Sequence, residues 1–389
     1  MAGPENRVGA KGEIVSSSRF TRSPSRRRVT VVALLGALAV TALVLAGGTS
    51  AKSNADPIKA AWIYVGPTTD GGWTTAHDNG RKYVQKMLGS NVKTTYKENI
   101  PPGPKLAQTI ASLVRDGNKI IFGTSFGMID KKIAAKYPDV YFEQATGTDL
   151  SKNLAEYFGK GEDSIYLSGM AAGAATKNGK IGYIVPFAIP EVIRHANAFA
   201  LGAQAVKPNV KVKLIWTNSW YDPAKEKKAA ESLVGSWGAD VLGQNVDSPA
   251  AGQYAQSKGI AWVGYDNDAR KYAKTSWLTA AVYDWGPYYL SRVKAAMNDS
   301  WKSAFYYGSI KDGFTDIAPY GPKVTSATKS KIAAKRALIV SGRFNPFTGP
   351  LYDQSGKVKV PKGVTLKVLP DLYAMNWLVK GIEGSVPKG

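Results

Sequence analysis

The chain has 389 residues, with 51 Lys+Arg against 29 Asp+Glu, two His and no Cys. That length allows about two domains with a sizeable core, and 44% hydrophobic with 11% aromatic residues describes a folded chain, not a disordered one. Zero Cys excludes disulfides, thiolate zinc sites, iron–sulfur clusters and cysteine nucleophiles, two His exclude a His-rich metal centre, and the formal net charge of +22 asks for nucleic acid, an anionic surface or a basic solvated exterior.

Residues 1–55 read as a targeting segment. Arg19, Arg22, Arg26, Arg27 and Arg28 form a basic n-region, and 29–46 is an uncharged apolar run of 18 residues. Ser53-Asn54-Ala55 then offers small residues at the −3 and −1 positions of a cleavage site. This order matches a secretory signal peptide. The apolar run nears the length of a spanning helix, so an uncleaved anchor is the rival reading. Ser25-Arg26-Arg27 also fits a twin-arginine signal, although Arg pairs are common in n-regions. The segment holds eight Lys/Arg and two Glu, leaving 43 and 27 for the rest. No block of five or six like charges follows, which favours a solvated basic surface over a nucleic-acid groove.

Beyond residue 55 short apolar runs alternate with helical segments. Strands are expected at 60–65, 92–98, 119–123 and 140–143, with helices at 73–88, 105–115 and 129–136. The rhythm restarts with helices at 165–176, 190–205, 223–236, 250–258 and 286–299. The strands of this second set fall at 181–185, 210–216, 241–242, 260–264 and 277–282. Buried strands separated by helices indicate parallel βαβ units. Two such sets in tandem indicate an α/β fold of two Rossmann-like lobes with a ligand cleft between them, where the carboxyl ends of strands meet. The last 75 residues differ: a turn-rich stretch, a hairpin around Gln354-Ser355-Gly356 and a short closing helix at 372–379 are expected.

Every catalytic constellation is missing. A Ser/His/acid triad would have to use His77 or His195, and no Gly-x-Ser-x-Gly elbow precedes a helix. Gly173 to Gly179 fails the phosphate-loop spacing, and Ile181 stands where Ser or Thr would hold magnesium. Asp247, Asp266 and Asp268 suit a divalent cation in type, but Asp is common in turns at strand ends. The chain is therefore expected not to be an enzyme and to need no cofactor.

Aromatics stand where catalytic groups would be. Trp73 follows Asp70-Gly71-Gly72, Phe126 lies between Ser125 and Gly127, Trp220 precedes Tyr221-Asp222-Pro223, and Phe187 and Trp285 occupy similar turns. Turns at strand carboxyl ends are ligand positions in open α/β sheets, and aromatic faces there can stack on a flat ring. Asp247 and Asp266 can accept from ring N–H or amine donors. Trp62, Trp216 and Trp262 lie inside strands and are expected in the core. His77 is expected as a cap or surface residue, and Phe187 and Trp285 are divided between site and hinge.

Asp70-Gly71-Gly72-Trp73-Thr74-Thr75-Ala76-His77, Thr124-Ser125-Phe126-Gly127 and Phe142-Glu143-Gln144-Ala145-Thr146-Gly147 resemble motifs of the basic membrane protein (BMP) family of ABC-transporter substrate-binding proteins. So do Ile189-Pro190-Glu191-Val192-Ile193-Arg194, Trp216-Thr217-Asn218-Ser219-Trp220-Tyr221-Asp222-Pro223, Asp247-Ser248-Pro249 and Trp285-Gly286-Pro287-Tyr288-Tyr289. The resemblance runs from about residue 58 to 385. It implies a periplasmic-binding-protein type I fold that captures a purine base or nucleoside and delivers it to an ABC permease. It implies an exported protein, in the periplasm or on the outer cell surface, and no nucleic-acid partner. A membrane-anchored purine-sensing receptor is the alternative. Trp73, Trp220 and Asp247 match ligand-contacting positions, Phe126 lines the site, and Asp266 keeps a ribose-type carboxylate position. Tyr64 and Thr74 stand where the nucleoside-binding branch has Asp and Asn, and its ribose-contacting Lys has no counterpart in 279–283. These departures point to a free base such as adenine. The lobes are expected at 56–165 with about 286–320, and at 166–285 with about 321–389. An anionic membrane surface or the permease is then the economical reason for the basic charge beyond residue 55.

Overall fold

The computed structural model describes residues 56–387, so the expected targeting segment lies outside the described residues. The chain begins with β1 (Ile58–Ile63), α1 (Trp73–Leu88), β2 (Val92–Lys97), α2 (Pro104–Arg115), β3 (Ile120–Gly123), α3 (Lys131–Ala135), β4 (Tyr141–Ala145) and β5 (Leu154–Gly159). It continues through α4 (Gly161–Ala175), β6 (Lys180–Val185), α5 (Pro190–Val206), β7 (Lys211–Trp216), α6 (Pro223–Glu231), β8 (Val241–Gln244), α7 (Ala250–Ser257), β9 (Ala261–Asp266) and β10 (Trp277–Tyr283). Then come α8 (Trp285–Met297), β11 (Phe305–Gly308), β12 (Thr315–Ile317), α9 (Ser326–Val340), β13 (Leu351–Tyr352), β14 (Val358–Val360) and β15 (Ile382–Glu383).

Two sheets result. The first runs β11-β5-β4-β3-β1-β2, parallel throughout. The second runs β12-β10-β9-β8-β6-β7-β15, with β12 antiparallel at one edge. Helices cover both faces, so central strands such as β1, β3 and β9 read as largely apolar runs. In the first sheet Ile63, Ile121 and Phe142 pack with Leu106, Ile110 and Ala134. On its other face Trp62 stacks on Phe122 at 4.7 Å and meets Tyr289 of α8 edge-on. In the second sheet Leu242, Trp262 and Trp277 pack with Ala230 and Ala251, while Tyr183 stacks on Phe199 of α5. Helices α4 and α5 approach so closely that a Cβ at Gly169 or Gly202 would collide with the backbone of the other helix. The small-residue run in α4 therefore serves helix packing.

The chain crosses between the sheets three times, at β5–α4, β10–α8 and β11–β12. This is the two-lobed α/β architecture expected, with three strands of hinge.

Strands β11, β12 and β15 were not expected, and three further elements differ from expectation. Strand β5 carries Glu156 mid-strand and escapes an apolar-run reading, yet all six of its residues are buried. Helix α9 buries only Ile332 and Ile339 and is otherwise rich in Lys and Ser, so its periodicity is faint. The closing helix at 372–379 does not form. Leu372, Met375 and Leu378 are buried at helical spacing, but Asn197 of α5 competes for the backbone. Its Nδ2 donates to the Trp377 carbonyl at 2.8 Å, and its Oδ1 accepts from the Val379 N–H at 2.9 Å.

Candidate functional site

The site is built at the carboxyl ends of strands from both sheets. Helix α1 starts at Trp73 because Asp70, buried before it, accepts from the N–H groups of Gly72, Thr74 and Thr75 at 2.8–3.0 Å. One carboxylate thereby satisfies donors that a helix start leaves open. The first sheet's side contributes Val65, Trp73, Ser125, Phe126 and Thr146 to the cleft. The second contributes Glu191, Trp220, Asp247, Tyr265 and Asp266. All five residues singled out in the sequence, Trp73, Phe126, Trp220, Asp247 and Asp266, thus line one cleft.

Their environments differ. Trp73 is 8% exposed, its indole N–H donates to the Thr124 carbonyl at 2.6 Å, and its ring meets Trp285 edge-on at 5.3 Å. Phe126 is 57% exposed in a turn where Gly127 takes φ +72°. Trp220 is half-buried against Phe187 at 5.4 Å, and its carbonyl accepts from the Asp247 N–H at 3.1 Å. Trp73 and Phe126 belong to one lobe and Trp220 to the other, so the three rings can close on a flat ligand from two sides.

The polar part of the cleft is acidic. None of the ten lining residues is Lys, Arg or His. Asp266 ends β9 with φ +62°, is 1% exposed, and neither of its carboxylate oxygens has a hydrogen-bond partner among the described residues. Burial, with Asp70 and Glu191 nearby, pushes its carboxyl well above the usual range. Burial likewise raises Asp247, reinforced by Asp70, Asp266 and Glu226. Glu191, in the first turn of α5, is pushed up to about 7, chiefly by burial, with Arg194 opposing. Thr146 adds an unpartnered buried hydroxyl at φ +67°. Buried carboxyl and hydroxyl groups without full partners, beneath aromatic faces, ask for a ligand that brings complementary hydrogen-bonding groups.

The lobes touch across the cleft. The Trp73 N–H reaches Asp247 Oδ1 at 3.4 Å, and a Cβ at Gly72 would lie 2.8 Å from the Asp247 backbone. Ser248 holds this loop to α6 through Glu226 at 2.5 Å.

Other expectations change. His77 is no cap or surface residue: it is fully buried, its ring stacks on Trp285 at 4.1 Å, and Nδ1 pairs with the Tyr289 hydroxyl. Burial holds its imidazole well below the usual range. Trp285 is 1% exposed and belongs to the packing behind Trp73, whereas Phe187 backs Trp220. Trp62 and Trp262 are core, but Trp216 is only half-buried and donates to the Ser385 carbonyl. Asp268 pairs with Arg270 at 2.8 Å, and the described residues contain no group of three or more metal-type side chains. Sequence reasoning did not single out Val65, Ser125, Thr146, Glu191 and Tyr265 as cleft residues. For Thr146 and Tyr265 the available signal was position at a strand end.

A family profile described as ABC transporter substrate-binding protein PnrA-like matches residues 58–345. A purine-binding protein of Brucella abortus is 39% identical over 351 residues, covering 90% of this chain and 99% of that one. A Haloferax volcanii protein, whose name assigns it provisionally to ABC-transporter glucose binding, is 32% identical over 337 residues, 86% of this chain and 83% of its own. Among solved structures, an ABC transporter solute-binding protein from Conexibacter woesei superposes with TM-score 0.63 at 20% identity, covering 74% of this chain and 98% of that chain.

Proposed function

The chain belongs to the PnrA-like family of ABC transporter substrate-binding proteins, and from that premise we propose that its cleft captures a purine base, or a purine nucleoside, outside the membrane and presents it to an ABC permease. The observation that carries the ligand class is Asp266. A buried carboxyl with two unpartnered oxygens, beside Asp247 and with no cationic side chain in the lining, suits a flat ring with N–H and amine donors. Adenine offers both. Trp73, Phe126 and Trp220 act as stacking faces, and the two lobes are the closing units. The purine-binding relative from Brucella abortus supports this reading.

The test is a titration of the purified protein with adenine, adenosine, guanine and hypoxanthine, followed by tryptophan fluorescence. Saturable quenching by a purine, without turnover, is the expected result. A flat response to all four, or saturation by glucose instead, overturns it. The mass of the exported protein's N-terminus separates a cleaved signal peptide from an anchored sensor: loss of residues 1–55 supports the soluble receptor.

A further inference from the structure

Ten large apolar side chains stand exposed among the described residues, and four of them lie in one short segment: Tyr352, Val358, Val364 and Leu369, each 42–49% exposed. Single exposed apolar residues are unremarkable on any protein surface. Here they alternate with Lys357, Lys359, Lys362 and Lys367, all exposed. None of these lysines joins an ion pair among the described residues. The segment's one acid, Asp353, is occupied by its own turn, accepting from the N–H groups of Ser355 and Lys357 and the Ser355 hydroxyl. Tyr352 and Val358 face each other across the β13–β14 pair, so two of the four apolar side chains are neighbours.

We propose that residues 352–369 are a foot that seats the protein on an anionic phospholipid surface. Lysine stems lie along apolar surface while their ammonium groups reach outward. Apolar side chains interleaved with lysines therefore suit a layer with phosphates above acyl chains. A purely electrostatic contact would not need the exposed Val, Leu and Tyr, and a purely apolar one would not need lysines without ion pairs, of which Lys359 lies over the Trp377 ring at 5.5 Å. The placement leaves the cleft free. The Lys380 N–H donates to the Tyr352 carbonyl, and Ile382 pairs with Val212 at the amino end of β7. Trp220 of the cleft follows the carboxyl end of the same strand, whose stretch from Val212 to Trp216 spans about 13 Å at the usual strand rise. The family match stops at residue 345, so the foot lies beyond it.

The chain has no Cys, so Val364→Cys in the full chain gives a single site for an environment-sensitive fluorophore. The label is expected to shift to the blue with vesicles of phosphatidylcholine mixed with phosphatidylglycerol, and to revert in high salt. It should stay silent with phosphatidylcholine alone. The same label at Lys132→Cys, exposed on α3, should stay silent with both. Replacing the four lysines by Gln is expected to weaken anionic-vesicle binding by about tenfold or more, while Lys→Arg at the same positions retains it. Neither change should alter purine titration. A silent label at 364, an equal shift on neutral vesicles, or unchanged binding by the Gln variant overturns the proposal; the last result would leave the surface to a protein partner.

Discussion

Trp73 and Trp220 face the same cleft, but their truncations should differ. Trp220 is half-buried, so Trp220→Ala should cost about 1–3 kcal/mol of ligand binding if it stacks on a base and little stability. Trp73 also fills the space against His77 and Trp285 and bonds Thr124. Trp73→Ala should therefore lose binding and about 3–5 kcal/mol of folding stability. Ligand titration beside thermal unfolding of each variant separates the two effects. Glu191 makes a second residue-scale prediction. Its folded pKa is raised from 4.5 to about 7 by burial, so the folded state holds a proton that the unfolded chain releases. Its contribution is fully present below about pH 4.5 and is lost as pH rises towards 7. The shift bounds the loss at about 3 kcal/mol. His77 and His195 act the other way, since burial depresses both and stability falls as pH drops below 6.5. Glu191→Gln isolates the carboxyl: its unfolding midpoint should fall less than the native one between pH 5 and 7. Identical pH profiles would place the proton elsewhere.

The start of α1 and the start of α5 decide how the elements meet. At α1, Gly72 lies so close to Asp247 that any side chain would prop the cleft open. Gly72→Val is expected to abolish ligand-induced compaction in small-angle scattering. Compaction equal to the native protein would show that the lobes close without this contact. At α5, Arg194 is 1% exposed, 4.0 Å from Glu162 of α4, and its guanidinium lies 5.6 Å from the Phe158 ring of β5 and 5.0 Å from that of Tyr373. Tyr307 of β11 donates to the same Glu162 at 2.9 Å. The group joins elements of both lobes beside the hinge. Arg194→Met should cost about 3–5 kcal/mol, because Glu162 would be left buried without its cation. Adding Glu162→Gln should recover part of that loss in denaturant unfolding. Strand β5, which carries part of this cluster, was illegible in the sequence because Glu156 interrupts its apolar run. Burial raises that carboxyl to about 9, so it sits in the sheet as a neutral acid.

For the whole molecule, the alternation of apolar runs with amphipathic segments was sufficient to read two parallel α/β sets and a cleft. Local rules produce that pattern, since a strand buried on both faces is apolar along most of its length. The aromatic turns at strand ends marked Trp73, Phe126 and Trp220, and the acceptors Asp247 and Asp266 were marked beside them; all five line one cleft for the same local reason: position after a strand fixes the end of the sheet to which a residue belongs. Length, charge and composition excluded thiol and His-rich metal chemistry before any fold was known. Only the tertiary structure decided the rest, because it depends on what lies opposite. His77 became core because Trp285 and Tyr289, more than 200 residues away in sequence, close over it. The segment 372–379 lost its helix because Asn197 captures its backbone. The acidity of the cleft arose when strands from one sheet brought Glu191, Asp247 and Asp266 together without a cation. Lysines that look evenly scattered along the chain acquire a direction only when a hairpin sets them beside exposed Tyr and Val.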